Sequence, residues 1–154
     1  MYCNDIKMLA DVIDDLRRRG RTIAICPGCF DVLHPGHVYL LSRAKLAADF
    51  VLVAMNTDAS VRRAKGPDRP FMQMRDRGTM LTAIKYVDAV VTYEQDTPEE
   101  LCKIVRPDVM VKGSQYEGEY LPGEEYCTEK LFVDMVSDLS TTGIMARLNG
   151  THSR

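Results

Sequence analysis

Two histidines lie three residues apart in the segment 28–37, which reads G-C-F-D-V-L-H-P-G-H. A short apolar run precedes this segment, and Pro35 is typical of the first turn of a helix. Residues three apart share a helix face, so we expect the imidazoles of His34 and His37 to point the same way. Gly36 leaves room for a ligand, and the N-terminus of a helix attracts anions. The pattern therefore favours hydrogen bonding to phosphate oxygens during phosphoryl or nucleotidyl transfer.

Two cysteines in this part of the chain suggest other chemistry. Cys26 and Cys29 form a C-x-x-C pair, which could be a redox pair of the thioredoxin type. Cys26, Cys29, His34 and His37 could also be four zinc ligands. Against both hypotheses, Cys26 is expected inside a strand and the helix begins only after His34. The histidine spacing is also tighter than in finger-type zinc sites. The interpretation we favour is that Cys26, Cys29 and Cys102 are small buried hydrophobes.

Other sequence features exclude several classes of protein. The sequence contains neither G-x-x-x-x-G-K-[ST] nor G-x-G-x-x-G, so the P-loop and the dinucleotide fingerprint do not apply. A net charge of −2 gives no reason to expect a nucleic-acid partner or an anionic membrane surface. The sequence lacks an apolar run of membrane-spanning length and a signal pattern, and its five cysteines are an odd number. We expect a cytoplasmic protein without a disulfide framework.

The pattern of apolar residues predicts the elements that position these side chains. Short apolar runs predict strands at 21–26, 50–55, 88–92, 108–112 and 131–134. Helical spacing predicts helices at 5–19, 35–48, 58–64, 73–86, 98–105 and 141–148, with an irregular loop at 113–128. Continuous apolar strands separated by helices indicate a parallel sheet covered on both faces. We predict a doubly wound α/β domain with about five strands, whose ligands bind at the carboxyl ends of the strands.

The whole chain, 1–154, fits a single domain, with an N-terminal helix in 1–20 and a catalytic core in 21–148. At this length, the chain can bury a real hydrophobic core.

Two signatures resemble those of a known group. H-P-G-H at 34–37 is similar to the H-x-G-H signature of the cytidylyltransferase-like nucleotidyltransferases, and L-S-T-T-G-I-M at 139–145 resembles their I-S-T-T/S-x-I motif. The resemblance runs from about Arg19 to Leu148. Within the group, the chain resembles the heptose-phosphate adenylyltransferases. The stretches that carry this resemblance are M-N-T-D-A-S-V at 55–61, K-G-P-D-R-P at 65–70, Arg77, A-I-K-Y-V-D at 83–88, D-T-P at 96–98 and P-D-V-M-V-K-G at 107–113.

The resemblance implies an in-line displacement, in which an acceptor phosphate attacks the α-phosphate of ATP and pyrophosphate leaves. Mg²⁺ would be bound through the triphosphate. It also implies catalytic roles for His34, His37, Lys65 and Arg77. The nucleotide-binding residues would be Gly28, Cys29, Phe30, His34, Gly36, His37, Lys112, Gly113, Ser140, Thr141 and Thr142. The acceptor-binding residues would be Asp31, Asn56, Asp58, Lys65 and Arg69.

The expected product is ADP-heptose, and the expected partners are small-molecule substrates. Small members of the group form dimers or larger assemblies, which predicts a homo-oligomer.

Two departures from the subgroup leave the substrates open. Members usually continue V-K-G with Gly-Asp-Tyr, whereas this chain has S-Q-Y at 114–116, and Pro27 replaces a frequent Asn. A cytidylyltransferase for glycerol or amino-alcohol phosphate, or a flavin adenylyltransferase, is therefore an alternative. A non-catalytic nucleotide-binding module is a third hypothesis. Both histidines, Lys65 and Arg77 are retained, which a decayed site would not require.

Overall fold

The structure is a computed structural model that describes residues 1–3 and 6–134. The strands are β1 (Tyr2–Cys3), β2 (Ile23–Gly28), β3 (Phe50–Asn56), β4 (Ala89–Tyr93), β5 (Val109–Gly113) and β6 (Glu129–Val133). The helices are α1 (Ile6–Arg18), α2 (Pro35–Ala47), α3 (Asp58–Lys65), α4 (Met74–Thr82) and α5 (Glu99–Val105). Two short 3₁₀ turns, Ser114–Tyr116 and Glu124–Tyr126, lie between β5 and β6. In the part of the chain that the structure describes, no helix is long and apolar enough to cross a membrane.

The strands form one parallel sheet in the order β1-β4-β3-β2-β5-β6. From β2 the chain first adds β3 and β4 on one side, then crosses back to place β5 and β6 on the other. The strand order therefore reverses between β2 and β5, which pair at Ala24↔Val109 and Ile25↔Met110. In doubly wound sheets, such a reversal opens a crevice at the carboxyl ends of the two strands. Here those ends are Gly28 and Gly113.

Alternate residues of each strand enter two separate hydrophobic cores. Ile23 and Ile25 of β2 pack with residues of α1 and α5, whereas Ala24 and Cys26 pack with residues of α2 and α4. This is the pattern expected for a parallel strand buried on both faces, because successive side chains point in opposite directions. Helix α1 contributes Leu9 and Ile13 to the first core, so the N-terminal helix is packed on the same sheet. The predicted doubly wound α/β architecture is confirmed.

The described residues form six strands, where about five were predicted, because the sequence pattern did not predict β1. Tyr2 and Cys3 pair with Val90 and Val91 of β4. A strand of two residues is too short to show a period in the sequence. Its pairing depends on an edge of β4 that exists only in the folded sheet.

Several predicted boundaries were also wrong. Strand β2 continues through Pro27 to Gly28, and β6 begins at Glu129 instead of residue 131. Helix α4 ends at Thr82, not at residue 86, and the loop predicted at 113–128 contains the two 3₁₀ turns. Element ends depend on local caps and tertiary contacts that apolar periodicity does not report. The helix predicted at 141–148 lies outside the described residues.

Candidate active site

The stretch between β2 and α2 brings the two motif histidines together. His34 is the N-cap of α2, in extended backbone conformation, and Pro35 is the first residue of the helix. The ring centroids of His34 and His37 are 3.9 Å apart, and the ring of Phe30 lies 5.2 Å from that of His37. The structure thus places both imidazoles on one side of the first helical turn, as the three-residue spacing predicts.

Both histidines are in an environment that favours the neutral ring. Burial, followed by the charges of His34 and Lys65, lowers the pKa of His37 to about 4. Burial also lowers the pKa of His34 below its ordinary value. The Nδ1 atoms of both rings are buried and have no hydrogen-bond partner among the described residues. Since buried polar atoms are normally paired, the free Nδ1 atoms give both rings the capacity to bind a ligand.

The histidines lie on the wall of a cavity of about 580 Å³ at the carboxyl ends of β2 and β5. Eleven of the predicted site residues line it: Gly28, Cys29, Phe30, Asp31, His34, Gly36, His37, Lys65, Arg69, Lys112 and Gly113. Five further lining residues were not predicted from the sequence: Pro27, Leu40, Val111, Gln115 and Tyr116. Pro27, Gln115 and Tyr116 fall at or beside the departures from the subgroup motifs, so a signal for them was present in the sequence.

Two lysines supply positive charge to this cavity. Lys65, the last residue of α3, is exposed, and its charge lowers the pKa values of both His37 and Lys112. Burial is the larger cause of the lowered pKa of Lys112, whose Nζ lies 5.0 Å from the centre of the Tyr116 ring. The positive charges of Lys65 and Lys112 destabilise one another, and an anion bound between them would relieve the repulsion. The cavity therefore suits a polyanionic ligand.

Asp31 lines the cavity, but its carboxylate is already occupied. It accepts hydrogen bonds from Arg69 Nε at 2.7 Å and from the backbone N–H groups of Phe71 and Met72 at 2.7 and 3.0 Å. The Asp31 side chain is 1% exposed and that of Arg69 is 16% exposed. Arg69 also packs over the Phe71 ring, with Cζ 4.6 Å from the centroid. Asp31 thus fixes Arg69 and the loop that follows it at the edge of the cavity.

Arg77 does not line the cavity, so its position does not support the predicted catalytic role. Its side chain is fully buried in α4. It donates hydrogen bonds to the backbone carbonyls of Cys29, Asn56 and Met72 and forms an ion pair with Asp58 at 2.6 Å. Arg77 therefore ties the end of β3 to the turn after β2. In this structure it positions the site instead of facing a ligand.

The predicted acceptor contacts of Asn56 and Asp58 are also not supported by their positions. Asn56 is buried, donates to Ser60 Oγ at 2.9 Å and accepts from the Tyr93 hydroxyl at 2.9 Å. Asp58 accepts from Arg77 and from the backbone N–H of Met74. Neither residue lines the cavity.

Ser140, Thr141 and Thr142, predicted to bind the triphosphate, lie outside the described residues.

The cysteines at the site do not support the redox or zinc hypotheses. Cys26 is fully buried in β2, and burial raises the pKa of its thiol to about 12. Cys29 is half-buried, in contrast to its predicted full burial, and its thiol lies 3.6 Å from Asn56 Oδ1. Both thiols are free. Across residues 1–3 and 6–134, no group of three or more His, Cys, Asp or Glu side chains is arranged to hold a metal ion.

The parallel doubly wound sheet has the H-x-G-H turn and two lysines at its switch point, which is the arrangement that the sequence resemblance predicts. The family model described as cytidylyltransferase-like matches residues 25–145, and the chain belongs to this family. The resemblance predicted from the two signatures is confirmed.

Relatives named bifunctional protein HldE are similar over most of the chain. The protein from Nitratiruptor sp. is 43% identical over 147 residues, which is 96% of this chain and 32% of that protein. The protein from Caulobacter vibrioides is 44% identical over 142 residues, which is 90% of this chain and 29% of that protein. The chain thus spans about a third of the length of these relatives.

A solved structure shares the fold. It is a lipopolysaccharide core biosynthesis protein from Thermoplasma volcanium, with a TM-score of 0.60 and 21% sequence identity. The similarity covers 79% of this chain and 100% of that structure.

Proposed function

We propose that the chain transfers AMP from ATP to heptose 1-phosphate, producing ADP-heptose and pyrophosphate. The observation that carries this proposal is the pair of adjacent imidazoles, His34 and His37, which lies at the N-terminus of α2 on the wall of a cavity that Lys65 and Lys112 also line. The motif resemblance to heptose-phosphate adenylyltransferases supports the choice of substrates, as does the similarity to the proteins named bifunctional protein HldE. The proposal includes a homo-oligomeric assembly, as in small members of the family.

Catalysis in this proposal consists of positioning and charge stabilisation. The acceptor phosphate displaces pyrophosphate from the α-phosphate in line, without a covalent enzyme intermediate. Neutral imidazoles keep one N–H each, so His34 and His37 can donate to oxygens on which negative charge develops. Lys65 and Lys112 oppose the charge of the triphosphate.

Arg69, fixed by Asp31, is proposed to bind the acceptor. Its guanidinium carries more donors than the one that Asp31 occupies, and it lies at the edge of the same cavity. A structural role is proposed for Arg77, Asn56 and Asp58. Arg77 donates to the Asn56 backbone carbonyl and to the Asp58 carboxylate, and the Asn56 side chain donates to Ser60.

Mg²⁺ is proposed only as an ion carried by the triphosphate. The ionisable side chains of the cavity include two imidazoles and three cations, and the carboxylate of Asp31 is occupied by three hydrogen bonds. Mg²⁺ prefers oxygen ligands such as carboxylates. The described donor set therefore does not fit a magnesium ion held by the protein itself.

A second candidate donor, CTP, is compatible with one feature of the cavity. Gln115 lines the cavity and packs so tightly against Gly113 that a Cβ at residue 113 would collide with its carboxamide. A carboxamide can donate and accept hydrogen bonds, so it can pair with the polar edge of either base. Its presence beside Lys112 and Gly113 is a reason to test CTP with glycerol and amino-alcohol phosphates.

The proposal is tested by pyrophosphate release in the presence of Mg²⁺. ATP and CTP would be assayed separately against heptose 1-phosphate and a panel of other sugar, polyol and amino-alcohol phosphates, with flavin mononucleotide included. His34→Ala is the blank, and Arg43→Ala, an exposed residue on the same helix, is the matched control.

We expect release with ATP and heptose 1-phosphate that is lost in His34→Ala and kept in Arg43→Ala. Release only with CTP or with another acceptor would preserve the chemistry and overturn the heptose assignment. Binding of triphosphate with no release on any acceptor would indicate a non-catalytic module.

A further inference from the structure

Two cysteines lie together in a part of the fold that the proposed reaction does not use. Cys102 belongs to α5 and is fully buried, and Cys127 directly follows the second 3₁₀ turn and is half-buried. Both are free thiols, and neither lines the cavity described above. Their position is independent of the C-x-x-C pair at Cys26 and Cys29.

Both thiols converge on one glycine. Cys127 Sγ lies 3.5 Å from the carbonyl oxygen of Gly123, and a Cβ at Gly123 would lie 2.9 Å from Cys102 Sγ. Gly123 has a φ of +94°, which L side chains rarely adopt, so both its conformation and its contacts require glycine. With no side chain at residue 123, both thiols pack against this glycine, and each influences the pKa of the other.

The interaction of the two thiols makes them chemically unequal. It lowers the pKa of Cys127 below the ordinary cysteine value, and together with burial it raises the pKa of Cys102. The thiolate is the nucleophile in cysteine oxidation, so the more exposed Cys127 is the thiol that an oxidant attacks first. Cys102 is then in place as the resolving thiol. Burial in β2 raises the pKa of Cys26 to about 12, so this thiol is not one that an oxidant attacks first.

We propose that Cys102 and Cys127 are an oxidative modification site that closes to a reversible disulfide with a hydroperoxide as oxidant. The Cys127 thiolate attacks the peroxide, the O–O bond breaks, and water leaves with the formation of a sulfenic acid. Cys102 sulfur then attacks the sulfenic sulfur, and the second water leaves. Two thiols lose two electrons and two protons in total, and hydrogen peroxide is reduced to two molecules of water.

The disulfide would join α5 to the end of the segment between β5 and β6. The closed loop, residues 102–127, contains Lys112, Gly113, Gln115 and Tyr116, all of which line the cavity. The oxidised form is therefore a version of the protein in which one wall of this cavity is covalently tied to the helix behind it. The proposal does not depend on the reaction proposed above.

The test is mass spectrometry of the full chain after oxidation. Reduced protein is treated with a small excess of hydrogen peroxide, blocked with N-ethylmaleimide and digested with trypsin. Cleavage after Lys85, Lys103, Lys112 and Lys130 separates the two cysteines into peptides 86–103 and 113–130. We expect these peptides to appear linked, with the loss of two hydrogens, and to separate after treatment with dithiothreitol. The oxidised protein should melt about 5 °C or more above the reduced protein.

Two variants assign the order of events. In Cys102→Ala, dimedone should trap a sulfenic acid at Cys127, and in Cys127→Ser the thiol of Cys102 should stay reduced. Oxidation of Cys127 to sulfinic acid without linked peptides would overturn the proposal, as would a dominant disulfide between Cys26 and Cys29. The sulfinic acid and the Cys26–Cys29 disulfide are both looked for in the unaltered protein, so these two results test the proposal even if a variant fails to fold.

Discussion

The turn after β2 and the segment after β3 both lie at the carboxyl edge of the sheet, yet their polar groups are used in opposite ways. After β2, His34 and His37 each have a buried Nδ1 atom with no partner among the described residues. After β3, Asn56 and Asp58 are engaged by Ser60, Tyr93 and Arg77. Both stretches match family motifs, and both contain residues able to bind substrate.

This difference separates a binding surface from its support. Buried polar groups are normally hydrogen-bonded within the protein, so groups that satisfy one another stabilise the fold and have little capacity left for a ligand. Histidine rings whose Nδ1 atoms are unpaired, beside an exposed cation such as Lys65, have that capacity. Substitutions in the turn after β2 should therefore affect activity more than stability. Substitutions that break the hydrogen bonds at the end of β3 should affect stability more than activity.

The largest expected effect is that of His34→Ala on catalysis. Removal of one donor to the developing negative charge should lower kcat about 100- to 1,000-fold. The free energy of unfolding should change by less than about 1 kcal/mol, because the His34 side chain makes no capping hydrogen bond. Steady-state kinetics and urea denaturation measure the two effects. A stability loss that accounts for the lost activity would remove the distinction between the two regions.

Arg77→Met should have the next largest effect, and on stability. It leaves Asp58 without its ion-pair partner and three backbone carbonyls without their donor, which should lower the free energy of unfolding by about 3 kcal/mol. Arg75→Met, an exposed residue on the same helix, is the matched control and should change it little. If Arg77→Met kept its stability and lost only triphosphate binding, the contact predicted from sequence would be correct after all.

His37 should make the stability of the protein fall in mild acid. The ordinary pKa of a histidine is 6.5, and that of His37 in the folded protein is about 4, so the unfolded chain binds more protons between pH 4 and pH 6.5. Stability is therefore complete above about pH 6.5 and decreases as the pH falls towards about 4, by roughly 2 kcal/mol for this residue. Urea denaturation between these pH values should show a smaller decrease in His37→Gln. An identical pH dependence in both proteins would mean that the ring is not desolvated.

Lys65→Ala should produce the smallest of these effects. Loss of an exposed cation at the cavity should lower kcat/KM for the triphosphate about tenfold, with less difference at high salt, since exposed charges are screened. Arg62→Ala removes an exposed cation from the same helix but not from the cavity lining, and should change kcat/KM little. Equal losses in the two variants would indicate a general electrostatic effect and not a contact at the site.

The residues that the sequence placed correctly are those whose surroundings are set by local geometry. Pro35 marks the first turn of α2, and the three-residue spacing then brings His34 and His37 onto one face. Apolar runs such as Phe50–Asn56 indicate strands buried on both faces, because nothing polar interrupts them. The doubly wound class and the edge of the sheet at which ligands bind follow from these patterns.

The misplaced residues are those whose partners lie far away in the chain. The position of Arg77 does not support its predicted catalytic role, because its guanidinium donates to the Cys29 carbonyl, 48 residues away in sequence. β1 was missed because two residues form a strand only against the edge of β4.

The class of fold, the family and the two histidines at the start of α2 could be predicted from the sequence alone, since short-range spacing and apolar period carry that information. Which polar groups face the cavity, and which bind one another behind it, depends on the folded chain. A polar group is used within the fold when it meets a partner from a distant part of the chain, as Arg77 meets Asn56 and Asp58. The Nδ1 atoms of the two histidines meet no such partner within residues 1–3 and 6–134.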